Sequence, residues 1–460
     1  MQQTTERNSI TEGVIWKQLL IFFFPILFGT FFQQMYNTAD AVIVGNMAGK
    51  QALAAVGGST ATIINLLVGF FVGLSSGATV IISQYFGARD ANKVSRSVHT
   101  AVGLALIGGL ILMVIGFFGG PYALQWMNTP KDVLPLATEY LQVYFLGTIP
   151  SLIYNLGSGI LRAVGDSKRP LYFLIIACVI NIVLDIVLVG VFHMGVKGAA
   201  LATIASQVVS AYLTMRTLTQ NISVYQVSYS QIKIDNEMLQ NIIRIGLPAG
   251  LQSVMYSLSN IVIQAGINGF GTDVVAAWTA YGKIDSVFWM TLSSFGLAIT
   301  TFIGQNYGAG CYDRMKKGVN VCLKMSFGTT IVISSMLYLW GKLVCRLFTD
   351  DPVVLQYGEV ILKYLAPWYL SYVLIEILSG ALRGAGEVVV PTIICCLGVC
   401  GIRVLWMWIA VSLYPSLETV MASYPITWTL SSIAFAVYYF KSGWLEKRIA
   451  KREALQQQTA

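Results

Sequence analysis

Two aspartates stand alone in long apolar stretches of the first half of this 460-residue chain: Asp40 and Asp185. Asp185 is the only charged residue between Leu171 and Phe192, and Asn181 lies one helical turn before it on the same face. Asp40 follows Asn37 and Thr38, and Thr203 offers a hydroxyl at a similar predicted depth. Asn155 would join them only if its helix were long or bent, because Arg162 follows it by about two turns. Two carboxylates with amide and hydroxyl oxygens can replace the hydration shell of a bare monovalent cation such as Na+. Two acids held close together can instead share a proton, as a proton relay requires. A polar knot that merely ties helix backbones together is the alternative. It is disfavoured because no Lys or Arg falls deep in the apolar runs of this half to neutralise the acids.

The second half carries different chemistry. About 221 positions after these residues stand Asn260, Glu376, Ile402 and Trp406. Its own deep charges are Glu376 with Arg403, and Lys283 with Asp285. Glu376 and Arg403 read equally well as a buried ion pair holding helices in register, or as an anchor for a cationic substrate that Arg403 tunes. Lys283 and Asp285, two positions apart, cannot face each other on one helix. Met35, Tyr36, Met255, Tyr256, Phe288, Trp289 and Met290 cluster near these charges. Flat lipophilic cations suit such surfaces through cation–π contact and adaptable packing, although each residue alone serves equally well as packing.

The elements that must position these residues are membrane helices. Hydrophobic residues make up 56% of the chain and charged ones only 11%, against roughly 25% charged in soluble domains. Charge-free runs cover Gln51 to Ala88, Ser97 to Pro130, Ile245 to Thr272, Ser286 to Tyr312 and Thr419 to Phe440, each longer than the roughly 20 residues that cross a bilayer. Barrel-type strand signals are absent, so helices remain. Twelve spans are predicted: 16–45, 52–82, 97–119, 134–163, 170–192 and 198–217, then 242–267, 273–303, 320–341, 354–382, 390–413 and 419–441. Residues 1–217 form an N-lobe, 218–240 a linker, and 241–460 a C-lobe with a basic tail suited to an anionic leaflet.

The halves repeat each other. Met35-Tyr36 returns as Met255-Tyr256, Gln84 with Gly87-Ala88 as Gln305 with Gly308-Ala309, and Leu161-Arg162 with Gly165 and Pro170 as Leu382-Arg383 with Gly386 and Pro391. Six spans per copy is an even number, so both copies enter the membrane from the same side as a parallel, pseudo-symmetric repeat. With the N-terminus inside, twenty Lys and Arg fall on the cytoplasmic side and five outside; Lys283, Lys324, Lys363 and Arg403 lie within spans. That places both termini in the cytoplasm and accounts for the net charge of +8 without a nucleic-acid partner. No signal peptide precedes the first apolar run.

The seven cysteines mostly fall inside apolar runs and form no CxxC pair; two distant histidines make a zinc or haem site improbable, and no catalytic constellation points to an enzyme.

Several segments resemble the multidrug and toxic compound extrusion (MATE) transporters: Gln33-Gln34-Met35-Tyr36-Asn37-Thr38-Ala39-Asp40 with Val44-Gly45, Gln84-Tyr85-Phe86-Gly87-Ala88, Leu161-Arg162-Ala163-Val164-Gly165-Asp166, and Gly195 with Gly198-Ala199-Ala200 and Ala202-Thr203. The resemblance covers essentially the whole chain. It implies an all-α bacterial inner-membrane protein of two six-helix bundles arranged in a V. It also implies efflux of organic cations and drugs driven by inward Na+ or H+, with no further cofactor. By resemblance the N-lobe cation site is Asp40, Asn155, Asn181, Asp185 and Thr203, with Tyr36 and Asn37 relaying its state, and Na+ as the metal it would hold. Candidate cavity residues are Met35, Met255, Tyr256, Asn260, Asp285, Phe288, Glu376 and Arg403. Glu376 matches an acid of the second cation site found in some members, but the seventh span offers only Gln252, Asn260 and Gln264 beside it. A monomer suffices for a pathway formed within one chain. The rival readings are a lipid-linked oligosaccharide flippase, which needs a cationic cavity, a membrane-embedded enzyme, and a receptor or channel.

Overall fold

The computed structural model describes residues 9–220 and 223–459, and every regular element among them is helical. After a short turn at Ser9–Glu12 come twelve long helical segments. They are α1 Ile15–Ala48, α2 Lys50–Gly87, α3 Ala91–Trp126, α4 134–163, α5 Lys168–Val191, α6 Gly195–Gln220, α7 Asn236–Asn268, α8 Thr272–Gly308, α9 Tyr312–Cys345, α10 Pro352–Gly384, α11 Val389–Leu413 and α12 Leu417–Lys441. Ten of these are long and apolar enough to cross a membrane by length and composition. The remaining two are α4, broken at Gly147, and α7, whose polar Gln252 and Asn260 dilute its apolar run. A helix at Trp444–Thr459 follows α12. The connection between the halves is shorter than 218–240, because α6 runs to Gln220 and α7 begins at Asn236.

The chain resolves into two compact units. Unit 1 holds the residues up to Ser257 together with Thr300–Gly318 and Gly384–Gly386, and unit 2 holds the rest. The division therefore does not follow the sequence halves, since α7 and α8 each contribute to both units.

Small residues let backbones meet where side chains would keep them apart. In unit 1, Gly73 and Gly77 of α2 lie against Gly250 and Gly246 of α7; a Cβ at Gly73 would sit 2.6 Å from the Gly250 Cα. Such four-residue glycine spacing is the usual means of close helix contact in lipid, where there is no water to drive side chains together. The repeated Gly165 and Gly386 both take left-handed backbone (φ 108° and 82°), which explains why the same motif ends both copies of the fourth span.

Three helices contain π-helical turns, at Ile115–Gly119, Ile186–Val191 and Ile394–Gly401. The second begins immediately after Asp185. A π turn inserts an extra residue and breaks the regular hydrogen-bond ladder, so it resets which face the following residues present.

Candidate functional site: a buried acid pair in unit 1

Asp40 reaches the interior from the last third of α1, Asp185 and Asn181 from α5, and Thr203 from the start of α6. All four are buried, Asn181 and Asp185 completely. The Asp40 carboxyl meets Asp185, Asn181 and Thr203. The Thr203 hydroxyl, which also bonds back to the Ala199 carbonyl, lies 3.4 Å from Asp40 Oδ2. The other carboxylate oxygens, Asp40 Oδ1 and both of Asp185, have no hydrogen-bond donor, and neither amide atom of Asn181 closes a bond. No Lys, Arg or His comes within ion-pair distance of either acid among the described residues. A buried carboxylate in this condition is costly, and its oxygens are free to take a cation or a proton.

Apolar packing closes one end of this cluster. Val44, Val189 and Ala199, each one helical turn from Asp40, Asp185 and Thr203, belong to a single buried core with Leu112, Leu141 and Phe145.

Tyrosines complete the surroundings, and the sequence reading missed most of them. Tyr36, one turn before Asp40, directs its buried hydroxyl towards Thr203 and Ser206 without closing a bond. Tyr140 and Tyr144 of α4 also lie within electrostatic reach of Asp40, with their rings stacked 6.1 Å apart. Gln207 stands within reach of the Tyr144 hydroxyl. An i, i+4 tyrosine pair beside Glu139 was the available signal.

Two expected members stand apart. Asn155 spends its amide nitrogen on the Ser151 carbonyl of its own helix at 2.9 Å, and no described interaction links it to the acids. Asn37 is exposed and no described interaction links it to the acids, whereas Tyr36 faces Thr203 and Ser206.

In unit 2 the Glu376–Arg403 ion pair does not form. Arg403 is buried, its guanidinium 4.3 Å above the Tyr424 ring and bonded to Thr427 Oγ1 at 3.2 Å. Glu376 lies instead against Gly296, whose missing side chain makes room for the carboxylate. The ring and the hydroxyl engage Arg403 from its neighbour α12, while its buried Nε is left without a hydrogen-bond partner. Asp285 is the organised acid of this unit. It accepts from Trp289 Nε1 and from the Tyr369 hydroxyl, both at 2.6 Å, and Phe288 stacks on Tyr369 at 4.1 Å. Lys283 is exposed. Met35 and Asn260 are exposed, and Met255 and Tyr256 half-buried. The cavity candidates are thus divided between unit 1 (Met35, Met255, Tyr256) and unit 2 (Asn260, Asp285, Phe288, Glu376, Arg403).

The MatE family matches this chain twice, over residues 25–187 and 248–409. The chain belongs to the MatE family. Each match spans one copy of the repeat, and members are transporters rather than enzymes. The probable multidrug resistance protein YoeA of Bacillus subtilis (strain 168) is 28% identical over 95% of this chain and 96% of its own length. The probable multidrug resistance protein YpnP of the same organism is 31% identical over 82% of this chain and 84% of its own. A solved structure described as the outward-facing conformation of a multidrug resistance MATE family transporter of the MOP superfamily superposes with a TM-score of 0.89. It is 24% identical and covers 97% of this chain and all of that one. That likeness concerns the fold: a multi-pass, all-helical membrane protein of twelve helices in two repeats.

Proposed function

We propose that the protein is a secondary active multidrug efflux antiporter, exporting lipophilic cationic compounds in exchange for Na+ or H+ by alternating access. The observation that carries this reading is the buried acid pair, Asp40 and Asp185, with three carboxylate oxygens lacking donors and no basic side chain among the described residues to balance them. The names of the relatives supply the multidrug part.

In this reading a cation or proton reaches Asp40 and Asp185 from outside and removes the repulsion between them. Thr203 contributes an oxygen, and Asn181 an amide that turns to suit. Drawing the acids together pulls α1 towards α5 and α6, and Tyr36 moves with it against Ser206. The ion can shift the equilibrium only by its differential affinity for the two states, so drug and ion must favour different states or compete. Asp285, framed by Trp289, Tyr369 and Phe288, is the anchor for a cationic substrate in this scheme, and Arg403 is not, because its charge is already engaged. The flippase alternative loses support for the same reason: a deep cation held on Tyr424 is not displayed to pyrophosphate.

We further place the protein as a monomer in the bacterial inner membrane with both termini in the cytoplasm, its partners being organic cations, drugs and lipid. The test is ethidium efflux in inside-out vesicles energised by a Na+ gradient alone or a pH gradient alone. Export under one of the two is the expected result. Absence under both, with correctly inserted protein, overturns the proposal.

A further inference from the structure

The repeated motifs that first mark the chain as double are not part of the acid site, yet within unit 1 they meet one another. Gln84 Nε2 donates to the Gly384 carbonyl at 2.8 Å, and Gln305 Nε2 donates to the Ala163 carbonyl at 2.6 Å. Gln84 and Gln305 are 221 positions apart, and so are Ala163 and Gly384. One contact is therefore made twice, each copy's glutamine reaching the other copy's Leu-Arg motif. The backbones approach just as reciprocally. A Cβ on Gly87 would collide with the Gln305 carbonyl, and a Cβ on Gly308 with the Gln84 carbonyl. Ser83 packs against Gly304 beside this crossing.

The N-terminal turn ties the neighbouring loops together. Arg314 donates to the carbonyls of Ile10 and Gly13, and Glu12 pairs with Arg89 at 3.4 Å. The buried Ile10 side chain is the nearest neighbour of Gly165.

We propose that this doubled crossing is a latch between the two repeats, closed here on the side the charge count assigns to the cytoplasm, and that it parts and re-forms once per transport cycle. Gln84 and Gln305 are its positioning residues, and the Ser9–Glu12 turn is its strap. The inference rests on the alternating-access reading above. In a parallel repeat, access alternates by moving one copy against the other. Contacts that bind both copies at one end of the molecule can then exist in only one of the two access states. The crossing is built for separation: glycines lie against bare backbone, so little side-chain packing has to disengage when the Gln84 and Gln305 hydrogen bonds break.

Two measurements test it. A Cβ on Gly304 would lie 3.1 Å from the Ser83 Cβ, a few tenths of an ångström inside the roughly 3.5–4.5 Å of natural disulfides. In the Ser83→Cys/Gly304→Cys variant, oxidation with copper phenanthroline should abolish ethidium efflux and dithiothreitol should restore it, with oxidised wild-type protein unaffected. Cross-linked protein exporting at the wild-type rate overturns the latch. The second measurement does not depend on transport. Single Gly304→Cys, in a Cys311→Ser background, should react slowly with a membrane-impermeant maleimide applied to the cytoplasmic face, and Gly87→Ala with Gly308→Ala should speed that reaction several-fold. No labelling in either form overturns the proposal even if efflux is intact. Labelling as expected in a protein that exports nothing sinks the transport reading and leaves the moving crossing standing.

Discussion

Asp40 and Asp185 carry the functional reading, and they can be separated from folding. Neither is tied into the structure by a salt bridge, so converting either to asparagine removes charge without stranding a basic partner. Asp40→Asn and Asp185→Asn should each abolish gradient-driven ethidium export while leaving the melting temperature of the purified protein unchanged or raised. Full drug resistance in cells carrying either variant would contradict the assignment. Asp285 should behave in the opposite way, because its two donors hold it in place. Tyr369→Phe leaves that carboxylate one bond short, which costs about 1–3 kcal/mol for a buried group and should appear as a lowered melting temperature. The deep acids were legible because a lone carboxylate in an apolar run is rare whatever its partners. Their partners were legible only in part. Asn181 and Thr203 sit within one turn of sequence-visible landmarks, whereas Tyr140 and Tyr144 arrive from a helix that nothing in the pattern connects to them. The ion-pair reading of Arg403 failed because its guanidinium meets an aromatic face and a hydroxyl on α12, groups that a search for opposite charges does not consider.

Helices and their connections set the next level. The crossing of α2 and α7 depends on glycines with backbone on the far side, so Gly77→Leu, whose new side chain would meet the Ile242 carbonyl, should destabilise by about 1–3 kcal/mol and lower folded yield in membranes. The connection between the repeats is strapped to the start of α3. Ser228 N–H donates to His99 Nε2 at 3.0 Å, and Asp235 N–H to Thr100 Oγ1 at 3.1 Å. Arg96 pairs with both Asp235 and Glu237. The Met238 N–H, and after it Arg96, hold the Asp235 carboxyl below its ordinary range. A depressed carboxyl contributes stability that is complete above its unfolded pKa of about 3.9 and is lost as pH falls through the lower folded value. Asp235→Asn should therefore lower protease resistance of the linker relative to wild type at pH 7 to 8, and the difference should vanish in acid strong enough to protonate Asp235. Equal linker cleavage in the two proteins at pH 8 would refute that account. The spans themselves were visible from charge spacing. The breaks at Gly58 and Gly147 fall at glycines that the length of the surrounding apolar runs overrode, and the three π turns carry no local signal.

For the molecule as a whole, the sequence repeat reached furthest, because two copies constrain topology more tightly than any single motif. Thr300–Gly318 and Gly384–Gly386 nevertheless join unit 1, so the second copy lends it pieces where the latch forms. The same positions also record how the copies diverged. Arg89 and Gly310 close equivalent turns, and both hold left-handed backbone, φ 59° and 74°. Glycine adopts that conformation without penalty, while arginine gives up roughly 1–2 kcal/mol, more than the exposed Arg89–Glu12 pair returns. Replacing Arg89 with glycine would thus relax the first copy and at the same time unfasten its N-terminal tether, leaving a sturdier fold whose doorway on that side hangs loose.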